Sequence, residues 1–341
     1  MDTTTGVLLV NLGTPKTTSV RDVRRYLREF LMDRRVIDIP FAFRFLLVNG
    51  IIAPFRAPKS AKEYKKVFKE GGSPLLYYGL AVRKLLQEAL GEKFEVRFGM
   101  RYQEPSIESA IEGFSEKVSH LIVLPLFPQY ASATSGSVHE KVMKILRKKL
   151  VIPKVTFVDS YAEHPLMIET FAELGKKYLE STKYDFVIFS YHGLPERHLK
   201  KENHHCIQPN YQCCEPYFYK NRLCYRAQCV RTSRLIAQQL GLHENQYAIT
   251  FQSRLGRDPW LQPYTDETLE KLASQGVRNL LVFSPAFVAD CLETIIEIGE
   301  TYAEMFHKKT GGHLQLVESL NTHPKWIETL KQIVLAETIK V

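Results

Sequence analysis

The chain has 341 residues, 45% of them hydrophobic and 24% charged, proportions that exclude a disordered, collagenous or coiled-coil protein. At ~150 residues per domain, this length predicts two domains or one large one. A formal charge of +9, from 46 Lys and Arg against 37 Asp and Glu, points to an anionic partner or to a lysine-rich soluble surface.

The N-terminus, MDTTTGVLLVNLG, carries no basic n-region and no cleavage site, so a cytoplasmic protein with reduced thiols is expected. Val7–Leu12 is the first of several short, almost continuously apolar runs, and a helix is expected over Val20–Leu31. The greasiest stretch follows, FAFRFLLVNGIIAPF from Phe41 to Phe55. Arg44 and Asn49 interrupt it, and it is shorter than the ~20 apolar residues of a membrane span. Bracketed by Pro40 and Pro54, it reads as an exposed lip that touches a membrane surface and admits an apolar ligand. Further strand-like runs are Phe94–Met100, Leu121–Leu126, Val155–Asp159, Phe186–Tyr191, Tyr247–Gln252, Leu280–Phe283 and Leu314–Val317. Helix-like segments alternate with them at Leu80–Leu90, Ser106–Val118, Val138–Lys149, Met167–Glu180, Cys229–Leu240, Asp266–Gln275 and Cys291–Phe306. Apolar strands alternating with helices predict parallel α/β sheets with right-handed crossovers. The strands divide four and four. This predicts an α/β fold of two similar domains, 1–164 and 165–320, each a four-stranded parallel sheet flanked by helices. A C-terminal helix within 321–341 packs back. In open sheets ligands bind beyond the carboxyl ends of the strands, so an active cleft is expected between the two domains.

Three features carry chemistry. First, the strand ending FSYH delivers His192 to a sheet edge before Gly193 and Pro195, where an imidazole can act as base or metal ligand near neutral pH. Second, Glu293, Glu297, Glu300 and Glu304 recur at steps of four, three and four, one face of an α-helix. No Lys or Arg lies between Asp290 and Phe306 to offset their repulsion. Such a row can relay protons or escort a divalent cation. Third, Cys206, Cys213, Cys214, Cys224 and Cys229 fall within 24 residues, spaced C-x6-C-C-x9-C-x4-C. Five thiols on one loop in a reducing compartment predict a soft-metal site. The spacing lacks zinc-ribbon knuckles and fits no standard ferredoxin pattern. His204 and His205 are weaker candidates with so much sulfur present. The turn NLGTP at Asn11–Pro15 lacks the glycines of a dinucleotide loop, which argues against a nucleotide-dependent oxidoreductase.

LLVNLGTP, GGSPL at Gly71–Leu75, FGMRY ending at Tyr102, LPLFPQYASATSGS at Leu124–Ser137, SYHGLPERH, SRLGRDPWLQPYTDE and FVAD-C-LET occur in the order and spacing of one family. Over its whole length the chain resembles a ferrochelatase. The resemblance implies insertion of Fe2+ into protoporphyrin IX at the end of haem synthesis, in a cleft between two α/β domains. It places the metal-site histidine on His192, the facing glutamate on Glu293 and the continuing carboxylates on Glu297 and, less closely in register, Glu300. It places porphyrin contacts on Leu12, Arg56, Tyr64, Ser73, Arg101, Tyr102, Tyr130 and Trp260. Many relatives have histidine where this chain has Cys291. Coproporphyrin-specialised members tend to have tyrosine at the Leu12 position, so Leu12 favours protoporphyrin over coproporphyrin. The segment about 203–229 resembles an insert, and some ferrochelatases bind a [2Fe–2S] cluster. The resemblance therefore implies a cluster held by four of the five cysteines without choosing among them. A non-catalytic porphyrin or haem carrier on the same fold is the alternative, and the acidic row argues against it. No nucleic-acid partner is expected.

Overall fold

The computed structural model describes residues 4–202, 213–215, 217–256 and 258–339. Cys206, His204 and His205 lie outside them. The chain forms two compact units. The first comprises 1–127, 131–159 and 327–341, and the second comprises 128–130 and 160–326.

In the first unit, β1 (Thr4–Gly13), β2 (Phe94–Tyr102), β3 (Val118–Pro125) and β4 (Lys154–Phe157) form a parallel sheet in the order β2-β1-β3-β4. Val7 to Val10 are wholly buried, as expected of a central strand covered on both faces. Its helices are α1 (Val20–Leu31), α2 (Phe41–Leu46), α3 (Ala53–Val67), α4 (Pro74–Leu90), α5 (Ile107–Glu112) and α6 (Ser137–Leu146). Local sequence starts several of them. The side chains of Ser19, Ser73 and Ser106 accept hydrogen bonds from the backbone amides of Asp22, Leu76 and Ser109, capping α1, α4 and α5.

The second unit repeats the plan. Its strands β5 (Phe186–His192), β6 (Tyr247–Gln252), β7 (Asn279–Phe283) and β8 (His313–Leu316) are parallel in the order β6-β5-β7-β8. Between them run α7 (Pro165–Ser181), α8 (Glu196–Glu202), α9 (Tyr225–Gln239), α10 (Thr265–Ser274) and α11 (Ala303–Thr310), and α12 (Pro324–Ile339) ends the chain. In each sheet the first strand in sequence is central and the second lies at an edge. The four-plus-four parallel division expected from the apolar runs is borne out.

Four local expectations are corrected. The helix expected over Ser106–Val118 is only α5, because Val118 opens β3. Phe41–Phe55, expected as an exposed lip with no element assigned, is built of helix: α2 passes through a π-helix at Leu47–Ile52 into α3, with Pro54 tolerated in the first turn of α3. The segment is nonetheless exposed, Phe43 at 67% and Phe55 at 79%. The helix expected from Cys229 begins at Tyr225, with Cys224 as its N-cap, so Cys229 lies inside a helix and is not on a loop. The fourth correction concerns the acidic row. Glu293–Tyr302 is a π-helix and gives way to α11 at Ala303. Bonds from i to i+5 put more residues into each turn than an α-helix holds. Glu293 and Glu297 stay near one face, but seven residues fall short of two turns, so Glu300 rotates off that line.

Candidate active site

β5 ends at His192, paired in register with Gln252 at the end of β6. Nδ1 of the imidazole lies 2.7 Å from the carbonyl oxygen of Gly193. A carbonyl only accepts, so Nδ1 is the donor and the lone pair of the neutral ring sits on Nε2. The turn is tight enough to require glycine. A Cβ on Gly193 would come within 2.9 Å of the Gln252 carbonyl oxygen, which instead accepts a 2.8 Å hydrogen bond from the Gly193 amide. The Trp260 ring centroid lies 6.5 Å from that of His192, and the indole N–H donates to the Leu255 carbonyl.

Gln252 is the hub of this half of the site. It is buried. Its carbonyl oxygen accepts from Ser190 Oγ at 2.6 Å. Its amide faces the Glu297 carboxylate at 3.3 Å and the Glu293 carbonyl oxygen at 3.4 Å. Ser253 Oγ donates to Glu297 Oε2 at 2.5 Å and Tyr302 donates to Glu297 Oε1 at 3.2 Å. Ser253 sits at φ 65°, a left-handed conformation costly for a residue with a side chain, and this turn aims its hydroxyl at the carboxylate. Burial and the Glu297 charge both raise the Tyr302 phenol, so it remains a donor. Burial and the Glu293 charge hold the Cys291 thiol well above its ordinary pKa. His192, Glu293 and Glu297 are thus linked through Gln252. Gln252, Ser253 and Tyr302 were not singled out from the sequence. A polar residue ending an apolar strand, the signal that marked His192, also marks Gln252.

The first unit gathers other expected residues around Asp33. Arg101 Nη2 donates to Asp33 Oδ2 at 2.6 Å, Tyr102 Oη at 2.9 Å and Ser137 Oγ at 2.5 Å. Burial would raise the Asp33 carboxyl, but the Ser137 and Arg35 amide hydrogen bonds, with the Arg101 charge, carry it below its ordinary value. Tyr102 is fully buried, so its hydroxyl serves Asp33. Ser73 is buried and spends its oxygen capping α4. Tyr64 is buried on α3 against Tyr26 and Phe68, whereas Arg56 on the same helix is exposed. Leu12 is half-buried at the carboxyl end of β1, its amide bonded to Asn11 Oδ1. In the second unit the backbone of Tyr130 is clamped by Gln228, whose Oε1 accepts from the amide at 2.9 Å and whose amide donates to the carbonyl at 3.3 Å.

Cys214, Cys224 and Cys229 are buried and Cys213 is half-buried, and burial is the largest cause raising the Cys214 and Cys229 thiols above their ordinary pKa. Burial pushes Cys214 up to about 12. The buried Arg226 guanidinium donates to Cys214 Sγ at 3.2 Å, a cation placed to favour anionic sulfur. Among the described residues, however, no three His, Cys, Asp or Glu side chains converge to hold a metal.

The two-sheet architecture is that of chelatases. SirB from Bacillus subtilis with Fe3+ aligns with a TM-score of 0.54 at 10% identity, over 97% of this chain and 94% of that one, a likeness of fold alone. The family follows from sequence. Residues 4–338 match the Ferrochelatase family model. Ferrochelatases of Legionella pneumophila (strain Lens) and Coxiella burnetii (strain Dugway 5J108-111) are each 45% identical over 96% of this chain, covering 98% and 92% of their own lengths. The chain belongs to the ferrochelatase family, enzymes that insert metal into a porphyrin for haem synthesis.

Proposed function

We propose that the chain inserts Fe2+ into protoporphyrin IX, with His192 and Glu293 at the metal and Glu297 as the next carboxylate. The observation that carries this reading is the linked set of His192, Gln252, Glu293 and Glu297, in which one imidazole nitrogen is committed to Gly193 and the other is left for proton or metal. Metallation must remove two pyrrole protons and deliver a cation to four nitrogens in one plane. Nε2 of His192 is suited to take a proton, and carboxylate oxygens suit Fe2+. Glu297, held by three donors, is a fixed acceptor and not a swinging ligand. Glu300 stands one step further along the π-helix and off its line.

In the first unit, the exposed Arg56 is the candidate anchor for a propionate. Leu12, Tyr64, Ser73, Arg101 and Tyr102 are the candidate porphyrin contacts of the first unit, and Tyr130 and Trp260 are those of the second. Leu12, with no hydroxyl, favours protoporphyrin over coproporphyrin. Binding energy from such remote contacts can bend the macrocycle and expose its lone pairs. The exposed Phe41, Phe43, Leu46, Ile51 and Phe55 are proposed to touch a membrane surface, although no described helix is long and apolar enough to cross one.

Four of Cys206, Cys213, Cys214, Cys224 and Cys229 are proposed to hold a [2Fe–2S] cluster, a one-electron centre. The test of function is Fe2+ insertion by purified protein, read by loss of porphyrin fluorescence, with protoporphyrin IX and coproporphyrin III side by side. Turnover on protoporphyrin at least tenfold faster is expected. Preference for coproporphyrin overturns the substrate, and haem binding without insertion leaves a carrier.

A further inference from the structure

Asp33 follows Met32, the C-cap of α1, and precedes the exposed aromatic segment that begins at Phe41. Its carboxylate is nearly buried, at 7% exposure. One oxygen, Oδ2, takes three donors: Arg101 Nη2, Tyr102 Oη and Ser137 Oγ. The other, Oδ1, accepts from the Arg35 amide at 2.8 Å. The donors are committed as well. Arg101 Nε donates to Ser137 Oγ at 2.7 Å, and the guanidinium carbon lies 4.5 Å from the centre of the Tyr102 ring. Tyr102 is fully buried, with its hydroxyl facing Asp33 and Ser137. The Arg101 charge is therefore neutralised by Asp33 and is not on offer to a ligand carboxylate.

The residues after Asp33 grip the same neighbours. Arg35 donates to Ser132 Oγ at 2.8 Å and to Glu140 Oε2 at 2.5 Å, and Arg34 pairs with Glu140 at 3.2 Å. Ser132 opens the helical turn that leads into α6, and Ser137 and Glu140 belong to the first turn of α6. On the other side, Arg44 of α2 reaches back to the carbonyls of Ile37 and Ile39. The root of the aromatic segment is thus tied at both ends, and Asp33 joins it to the carboxyl end of β2. A buried ion pair rarely stabilises more than apolar packing would; fixing one geometry among several is its better-attested use.

We propose that Asp33 is a positioning residue for porphyrin binding, which by neutralising Arg101 holds the end of β2 and the root of the exposed aromatic segment in one arrangement. The proposal rests on the reading of the first unit's residues as porphyrin contacts. Arg101 then orients the site through Asp33 and does not anchor a propionate.

The test is a double-mutant cycle on protoporphyrin IX binding, read by porphyrin fluorescence on the full chain without added iron, with steady-state kinetics beside it. Asp33→Asn keeps the shape and removes the charge, and Arg101→Gln removes the partner. Each is expected to raise Kd and KM for porphyrin about tenfold, the scale of a lost charged hydrogen bond, with kcat and KM for Fe2+ within about twofold of wild type. The double variant is expected to show the same tenfold rise, because both changes break one interaction. A rise of about a hundredfold, the product of independent effects, overturns the clasp. A purely structural pair would lower the unfolding midpoint and leave Kd unchanged, which overturns it too. If Arg101 were a propionate anchor, Asp33→Asn would release its charge and tighten binding, again against the proposal. Should a charge change prevent folding, Tyr102→Phe is the milder variant. It removes one buried oxygen and is expected to raise Kd about threefold; unchanged binding there counts against the proposal. Arg56→Ala tests the underlying reading separately. Unchanged Kd in Arg56→Ala removes the first unit's propionate anchor, whereas weakened binding there beside a failed cycle removes the clasp alone.

Discussion

The side-chain amide of Gln252 lies 3.3 Å from Glu297 Oε2, while its carbonyl oxygen accepts from Ser190 at 2.6 Å. Ser190 fixes which end of the amide faces the carboxylate, so the NH2 group points at Glu297. Gln252→Leu should remove a donor from a half-buried carboxylate and lower turnover about tenfold or more, with kcat affected before KM. Steady-state kinetics on protoporphyrin and Fe2+ check this. A variant with wild-type kcat would make Gln252 a strand-end residue without influence on the site.

Glu293→Gln and His192→Ala should each lower iron insertion by ~100-fold or more, the scale of lost acid–base chemistry. Both side chains are half-buried at strand or helix ends and outside the core, so unfolding curves should stay close to wild type. Near-wild-type turnover in either variant removes that residue from the mechanism.

Asp33 and Glu140 make the first unit sensitive to acid. Burial opposes ionisation of Glu140, but hydrogen bonds from Lys144 and Arg35 pull it down to about 2 from an ordinary 4.5, and Asp33 is lowered as well. A carboxyl lowered by folding contributes stability that is complete above its unfolded value. That contribution is lost as pH falls through the folded value. Asp33→Asn should therefore cost about 1–3 kcal/mol at neutral pH, and both Asp33→Asn and Glu140→Gln should cost progressively less below about pH 4. Denaturant titrations at pH 7 and pH 3 measure the difference, and a penalty equal at both would mean that ionisation contributes nothing.

Phe41, Phe43 and Phe55 face solvent at 65%, 67% and 79% exposure. Replacing the three by serine should abolish co-flotation with vesicles containing anionic lipid while leaving the fold intact, since their burial stabilises nothing in the free chain. Equal recovery of wild type and variant in the unbound fraction would leave the patch without a membrane role.

The as-isolated protein should be coloured, bleach on reduction, and contain two irons and two acid-labile sulfides per chain, as a [2Fe–2S] centre requires. Cys206→Ser and Cys224→Ser should each lose the visible spectrum. Full colour in Cys206→Ser would exclude it as a ligand even with the cluster present. A colourless preparation with stoichiometric zinc from iron-replete, anaerobic growth would replace the cluster by a zinc site.

The sequence by itself determined the eight strands, their parallel four-plus-four division and His192, because buried strands are written as contiguous apolar runs and their ends as polar interruptions. The motifs around Ser137, His192 and Trp260 determined the family for the same reason: each is local. Only the tertiary structure decided what holds those residues. The π-helix at Glu293–Tyr302 follows from hydrogen bonding that residue spacing does not announce, and it removed Glu300 from the line an α-helix would have drawn. Asp33 meets Arg101 across 68 residues of chain, Gln252 meets Glu297 across 45, and Tyr225 reaches His192 across 33. Such partners share no period and no motif. They become neighbours only when parallel crossovers return separate segments to one end of a sheet, where a buried carboxylate or carbonyl must find a donor.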